Sequence, residues 1–166
     1  MADGQPNDDH REEPPAQQPV VARRRLRRTH ASQLGDSVFS VITRAGVGPA
    51  HLLTTRGRRT GKLRTNPVIL VDHDARRWLV SPYGSVSWVL NARAAGRVTL
   101  RKGRDVHQYA VREVSAAEAG PVLQAYVAVA PATRSYFYAS KGAPVERFVA
   151  EAALHPVFEL TPAEPA

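Results

Sequence analysis

Residues 51–80, HLLTTRGRRTGKLRTNPVILVDHDARRWLV, alternate runs of branched and apolar residues with glycine-bounded or acidic punctuation. Residues 51–55 predict a short strand, GRRTGK at 57–62 a tight turn, and 63–71 a second strand, because branched side chains suit a pleated, half-buried surface. Asp72, His73 and Asp74 predict a polar turn into a third strand from Arg77 to Val80. Together these make a β meander.

Upstream, Leu34, Val38, Phe39, Val41 and Ile42 fall at spacings of three and four, which predicts an amphipathic helix over 34–45 ending before Gly46. Downstream, 87–95 predict a helix with Ser87 as N-cap and Gly96 just past its end. Residues 97–101 and 106–114 alternate across Lys102, Gly103, Arg104 and Asp105, as a hairpin does. Ser115 followed by Glu118 is a capping box that opens a helix to about Ala130, where Pro131 stops it. A short helix over 146–153 and a last strand over 156–160 complete the chain. The expected class is mostly β with helices (α+β): a small antiparallel barrel of five or six strands, with helices inserted and an N-terminal helix before it.

The 166 residues suit a single domain, expected at 31–162 between a disordered tail over 1–30 and a short tail over 163–166. Of the 23 basic residues 20 are arginine, and the charge is uneven: −4 over 1–22, +10 over 23–64 and +2 over the rest. Arginine dominance favours fixed, forked contacts to phosphate and carboxylate. With no cysteine, disulfide frameworks, thiolate metal sites and cysteine nucleophiles are excluded. No apolar run approaches the ~18 residues of a membrane span, and the stretch after the arginines at 23–28 is too polar for an export signal. A soluble, cytoplasmic protein is expected.

Several chemistries fail on spacing. Gly57 and Gly61 bracket three residues where a phosphate-binding Walker loop has four, and Leu63 stands where that loop needs a hydroxyl for magnesium. Gly46 and Gly48 lack the third glycine of a dinucleotide fingerprint. The six histidines lie at no ligand spacing, so no bound metal is expected. Residues 84–87 do not form a nucleophile elbow. There remain Arg56, Arg58, Arg59, Lys62 and Arg64 in one turn beside Gly57, Thr60 and Gly61. A turn of this kind gathers backbone N–H groups and guanidinium groups into a seat for a multiply charged anion; a solvated basic hairpin accounts for the same residues. Thr65, Asn66 and Pro67 then lead into an apolar strand against which an aromatic ring could lie.

The ordered set LLTTRGRRTGKLRTNPVIL, VSPYG and SWVLNARAAGRVTL resembles the deazaflavin-dependent nitroreductases and related F420H2-dependent quinone reductases, actinobacterial oxidoreductases that use coenzyme F420. The resemblance runs from about His51 to Leu160. It implies a split β-barrel of the kind that also binds flavin mononucleotide. It further implies that Arg58, Arg59, Thr60, Gly61 and Arg64 hold the phosphate and glutamate tail, and that Thr65, Asn66, Pro67, Val68 and Ile69 line the ring. Val80, Ser81, Pro82 and Tyr83 would close the opposite edge, with Trp88 and Asn91 supporting the pocket from one helical face. Trp88 reads equally as a core residue. Tyr136 and Tyr138 are candidate proton donors and substrate contacts, although Pro131 to Tyr138 keeps only part of the tyrosine pattern of the family's nitroimidazole-activating member. The 81–88 loop is also shorter than in that member.

The implied activity is hydride transfer from reduced deazaflavin to a quinone-like, nitroaromatic or other electron-poor small molecule. Two alternatives stay open: a deazaflavin or flavin binder without turnover, and an anionic-membrane or nucleic-acid arm made by Arg23 to Arg28. That run is short and has no aromatic stacking partners, so it reads better as an exposed linker able to make peripheral contact with an anionic membrane than as a specific nucleic-acid site.

Overall fold

In a computed structural model, residues 48–163 are described; the tail at 1–30 with its arginine run, the helix at 34–45 and the last three residues lie outside them. Six strands close into an antiparallel barrel: β1 (Ala50–Arg56), β2 (Leu63–His73), β3 (Arg76–Val80), β4 (Arg97–Lys102), β5 (Asp105–Glu113) and β6 (Val157–Pro162). Their order around the barrel is β1-β2-β3-β6-β5-β4, closing back on β1. Helix α1 (Ser87–Ala95) joins β3 to β4. Between β5 and β6 run α2 (Ala116–Val129), a 3₁₀ segment (Pro131–Tyr136), α3 (Val145–Glu151) and a 3₁₀ turn (Ala152–Leu154).

The period-2 alternation of the strands feeds two separate cores. Leu53, Val68, Leu79, Val98, Leu100, Phe158 and Leu160 point into the barrel, together with Trp88, Val89 and Ala92 of α1. The opposite faces of β2, β3 and β6 present Val71, Trp78, Val80 and Val157 to Val122, Leu123, Tyr126 and Val127 of α2 and to Phe148 of α3. These strands are covered on both sides, which is why they read as nearly continuous apolar runs. Gly120 lets α2 approach α3 closely, since a Cβ there would collide with the side chain of Val149.

The capping box forms as expected: the Ser115 hydroxyl accepts from the Glu118 amide at 3.3 Å, and the Glu118 carboxylate accepts from the Ser115 amide at 3.1 Å. Gly96 ends α1 in the left-handed region at φ 64°. Two expectations shift. The N-cap of α1 is Val86 rather than Ser87: its backbone is extended and its carbonyl accepts from the Leu90 amide, so Ser87 is already helical. The β2–β3 turn is Asp74–Ala75, not Asp72 to Asp74, because His73 still pairs with Arg76 and Asp72 with Arg77 across the ladder. The Asp72 carboxylate accepts from Arg77 Nε at 2.9 Å.

That turn has positive φ at both central residues, 50° at Asp74 and 57° at Ala75. Such a turn follows the right-handed twist of the strands but suits glycine better than alanine. Ala75→Gly is therefore expected to stabilise the protein by about 0.5–1 kcal/mol. Thermal unfolding checks this through a midpoint raised by a few degrees; a lowered midpoint contradicts it.

Candidate functional site

The turn at 57–62 is closed by its own backbone. Gly57 N–H donates to the Lys62 carbonyl at 2.8 Å, and Gly61 N–H donates to the Gly57 carbonyl at 2.7 Å. A Cβ at Gly57 would sit 3.1 Å from both the Lys62 oxygen and the Thr60 hydroxyl, and Gly61 has φ +67°. Both glycines are thus required by the loop's shape. The loop is strapped to α1 by Asn91, which is buried. Its Oδ1 accepts from the Arg58 amide at 3.2 Å and from the Arg58 guanidinium at 3.4 Å, while its Nδ2 donates to Thr55 Oγ1 at 3.3 Å.

Arg56, Arg58, Arg59, Thr60, Lys62 and Arg64 are exposed around this loop. Elsewhere on the barrel, Arg76, Arg77, Arg93 and Arg112 each face a carboxylate. Among the described residues no carboxylate pairs with the cations of the 57–62 turn. Among the described residues nothing offsets their mutual repulsion, and a multiply charged anion would do so. The sequence reading missed Arg97. Thr54 pairs with Thr99 across β1–β4, so Arg56 and Arg97 fall at the same end of the outer face. Only the non-local β1–β4 pairing reveals this.

Alternation divides the candidate residues of β2 between two faces. Ile69 packs toward the helices and Val68 toward the barrel interior. By the same period, Thr65 and Pro67 share the outer face with Ile69, while Arg64 and Asn66 share the inner side with Val68. Thr65 Oγ1 meets Thr54 Oγ1 at 3.1 Å on the outer face. Val68 and Val80 are buried, 8% and 2% exposed, so they pack beneath the site rather than open to a ligand. Trp88 packs against Phe158 in the barrel interior, with ring centroids 6.1 Å apart.

After β3 the chain turns sharply. Ser81 is fully buried; its amide donates to the Pro156 carbonyl at 2.9 Å and its hydroxyl to the Gly84 carbonyl at 2.7 Å. Pro82 is buried and Tyr83 emerges, 45% exposed. The Tyr83 ring meets Tyr136 edge-on, with centroids 4.8 Å apart and planes at 90°. Tyr136 and Ile69 pack against the same helix-covered core, so the outer face of β2 and the Tyr83–Tyr136 edge belong to one side of the barrel. Tyr138 parts from Tyr136. Phe137 between them is extended, and Tyr138, 62% exposed, lines a hollow of about 290 Å³ with Ala139, Arg147, Ala150, Glu151 and Leu154.

An arginine-rich turn on a small antiparallel barrel lies beside a strand face and a tyrosine edge, an arrangement with the chemistry to take a ring with an anionic tail. The model of the family described as F420H(2)-dependent quinone reductase matches residues 25–148, and the chain belongs to that family. It is an F420H2-dependent reductase, and its coenzyme is F420. A solved F420-H2 dependent reductase, FDR-A, is 23% identical over 68% of this chain and 94% of that one, with a TM-score of 0.49. A chain described as a domain-swapped dimer is 21% identical over 80% of this chain and 100% of its own, with a TM-score of 0.51. A protein of unknown function from Agrobacterium tumefaciens is 12% identical over 76% of this chain and 53% of its own, with a TM-score of 0.53. The last two share the barrel fold. No helix among the described residues is long and apolar enough to cross a membrane.

Two histidines on the barrel titrate low. Burial pushes His155 below its ordinary value, against the pull of Glu151, and burial with Lys102 and Arg77 nearby does the same to His51. Below about pH 6.5 the unfolded chain takes up protons that the folded chain refuses, so stability is full above that pH and falls as the pH drops. Thermal midpoints measured from pH 7.5 to 5.5 are expected to decline, and less steeply in His155→Asn. Equal slopes in the two proteins would contradict the assignment.

Proposed function

We propose that the protein transfers hydride from reduced F420 to a quinone-like, nitroaromatic or other electron-poor small molecule, with the coenzyme tail on the arginine turn and its ring along the outer side of β2. The observation that carries this reading is the strapped turn at 57–62, whose cations have no carboxylate partners among the described residues. The donor set fits the coenzyme: Arg58, Arg59 and Arg64 offer forked donors to phosphate and carboxylate, and Thr60 and Gly61 add small, close-approach groups. Pro67 and Ile69 supply a half-buried platform for a ring, the exposed Thr65 and the half-buried Asn66 polar groups at its edge, and the buried Val68 and Val80 the packing beneath it. Ser81, Pro82 and Tyr83 bound the opposite edge, and Asn91, backed by Trp88, holds the turn in place.

When bound, the reduced coenzyme supplies two electrons and a proton as hydride. The protein then has to hold donor and acceptor close, exclude water and deliver one further proton to the reduced product. Tyr136, at the edge formed with Tyr83, is the proposed proton donor; Tyr138, with its exposed ring over the neighbouring hollow, is the second candidate and a substrate contact. A cytoplasmic location and peripheral contact with an anionic membrane through Arg23 to Arg28 are proposed on charge alone.

Arg59→Ala and Arg64→Ala test the coenzyme seat. Each is expected to weaken F420 binding by roughly 1.5–3 kcal/mol, the worth of a hydrogen bond to a charged group. Fluorescence titration at two salt concentrations reads the loss, and unchanged affinity in both variants moves the site elsewhere.

A further inference from the structure

Glu151 and His155 are both buried, and the proposed hydride transfer gives them no role. Glu151 closes α3; its Oε2 accepts from the Tyr138 amide at 2.8 Å and its Oε1 from the Ala139 amide at 3.0 Å. Those amides belong to a stretch outside helix and sheet, so the carboxylate is what satisfies them. His155 holds the other wall. Its Nδ1 lies 3.1 Å from the Pro82 carbonyl, one residue before Tyr83. A carbonyl only accepts, so Nδ1 carries the proton and the Nε2 of a neutral ring is a bare acceptor. Nε2 has no hydrogen-bond partner and faces Glu151 Oε2 at 3.5 Å. The imidazole also stacks on Phe137, with centroids 4.0 Å apart and planes at 22°.

Five residues of chain therefore grip two segments that are distant in sequence. One carries Tyr83, and the other carries Tyr136 and Tyr138. An apolar pair of similar volume would fill this space at less desolvation cost than a buried acid and imidazole. What an apolar pair could not do is fix backbone groups of both segments at once. We propose that Glu151 and His155 are positioning residues, setting the 81–84 turn against the 137–139 segment and so the width of the tyrosine-edged opening that admits the acceptor. This rests on the reading that the acceptor enters beside Tyr83 and Tyr136. Neither residue touches the arginine turn, where the account places most of the coenzyme affinity, so their effect on the acceptor is expected to exceed that on F420.

The test is steady-state kinetics on the full chain with reduced F420 and a water-soluble naphthoquinone, beside F420 titrations. His155→Leu removes the bond to Pro82; His155→Asn keeps an amide N–H at about the same place. Loss of one buried bond is expected to raise the acceptor KM about five- to tenfold in His155→Leu, with F420 affinity changed far less, and His155→Asn is expected to restore most of it. Glu151→Gln keeps one of the two amide bonds and is expected to raise KM in the same direction with faster hydrogen exchange at Tyr138 and Ala139, which carries the test should His155→Leu fail to fold. Tyr136→Ala distinguishes the two levels of the account. A raised KM in Tyr136→Ala with none in His155→Leu overturns the positioning role alone, as does a loss of F420 affinity parallel to KM or a failure of His155→Asn to rescue. An unchanged KM in Tyr136→Ala and His155→Leu together overturns both readings.

Discussion

The side-chain amide of Asn91 is the contact on which the arginine turn, the proposed coenzyme seat, depends. From a buried position on α1 it accepts from the Arg58 amide and donates to the Thr55 hydroxyl, joining helix, strand end and turn at one point. Without it, the 57–62 loop between the paired ends of β1 and β2 would keep its own two backbone bonds but lose its tie to α1, and the repulsion of Arg58, Arg59 and Lys62 with the flanking Arg56 and Arg64 would favour splaying it open. The helix that supplies Asn91 is itself fixed by Trp88, Val89 and Ala92 in the barrel interior. The seat is thus tied to the most deeply buried part of the fold, and the order imposed on it is set before any ligand arrives.

The second constraint is that the later half of β2 is covered on both sides. There one face fills the barrel and the other lies against helices, whereas Leu63, Arg64 and Thr65 are exposed and Asn66, Pro67 and Ile69 half-buried, so the part a ligand can reach is the first half of the strand. In the proposed reading a ring lies between the arginine turn at one end and the Tyr83–Tyr136 edge at the other. Each boundary has its own hydrogen bonds: those of Asn91 at the first, those of Glu151 and His155 at the second. The proposal therefore makes acceptor binding more sensitive to the second boundary and coenzyme binding to the first.

Much of the fold was legible because its signals are local. The glycines at 57 and 61, the Ser115–Glu118 box and Gly96 each determine a conformation within a few residues. The misplaced turn shows the limit: Asp72 and Asp74 look equally turn-like in sequence, and only the pairing of His73 with Arg76 decides that the strand continues. Ser87 has the chemistry of a cap, yet the preceding extended residue, Val86, takes that position. Of the candidate site, the shape of the 57–62 turn was legible and what depends on distant pairing was not. Arg97 comes to the same end of the barrel as Arg56 only through the β1–β4 register, and His155 reaches Pro82 across 73 positions. The candidate run from Thr65 to Ile69 reads in sequence as one lining, whereas strand geometry sends its members to opposite faces.

The central claim is that affinity for the coenzyme resides in the arginine seat rather than in the ring's platform. Fluorescence titration of the wild-type protein with F420, beside a deazaflavin chromophore that lacks the phosphate and glutamates, tests it most directly. With several charge-assisted bonds removed, the truncated compound is expected to bind at least about a hundredfold more weakly and to lose the salt dependence shown by F420. Equal affinity for the two compounds, insensitive to salt, would contradict the account.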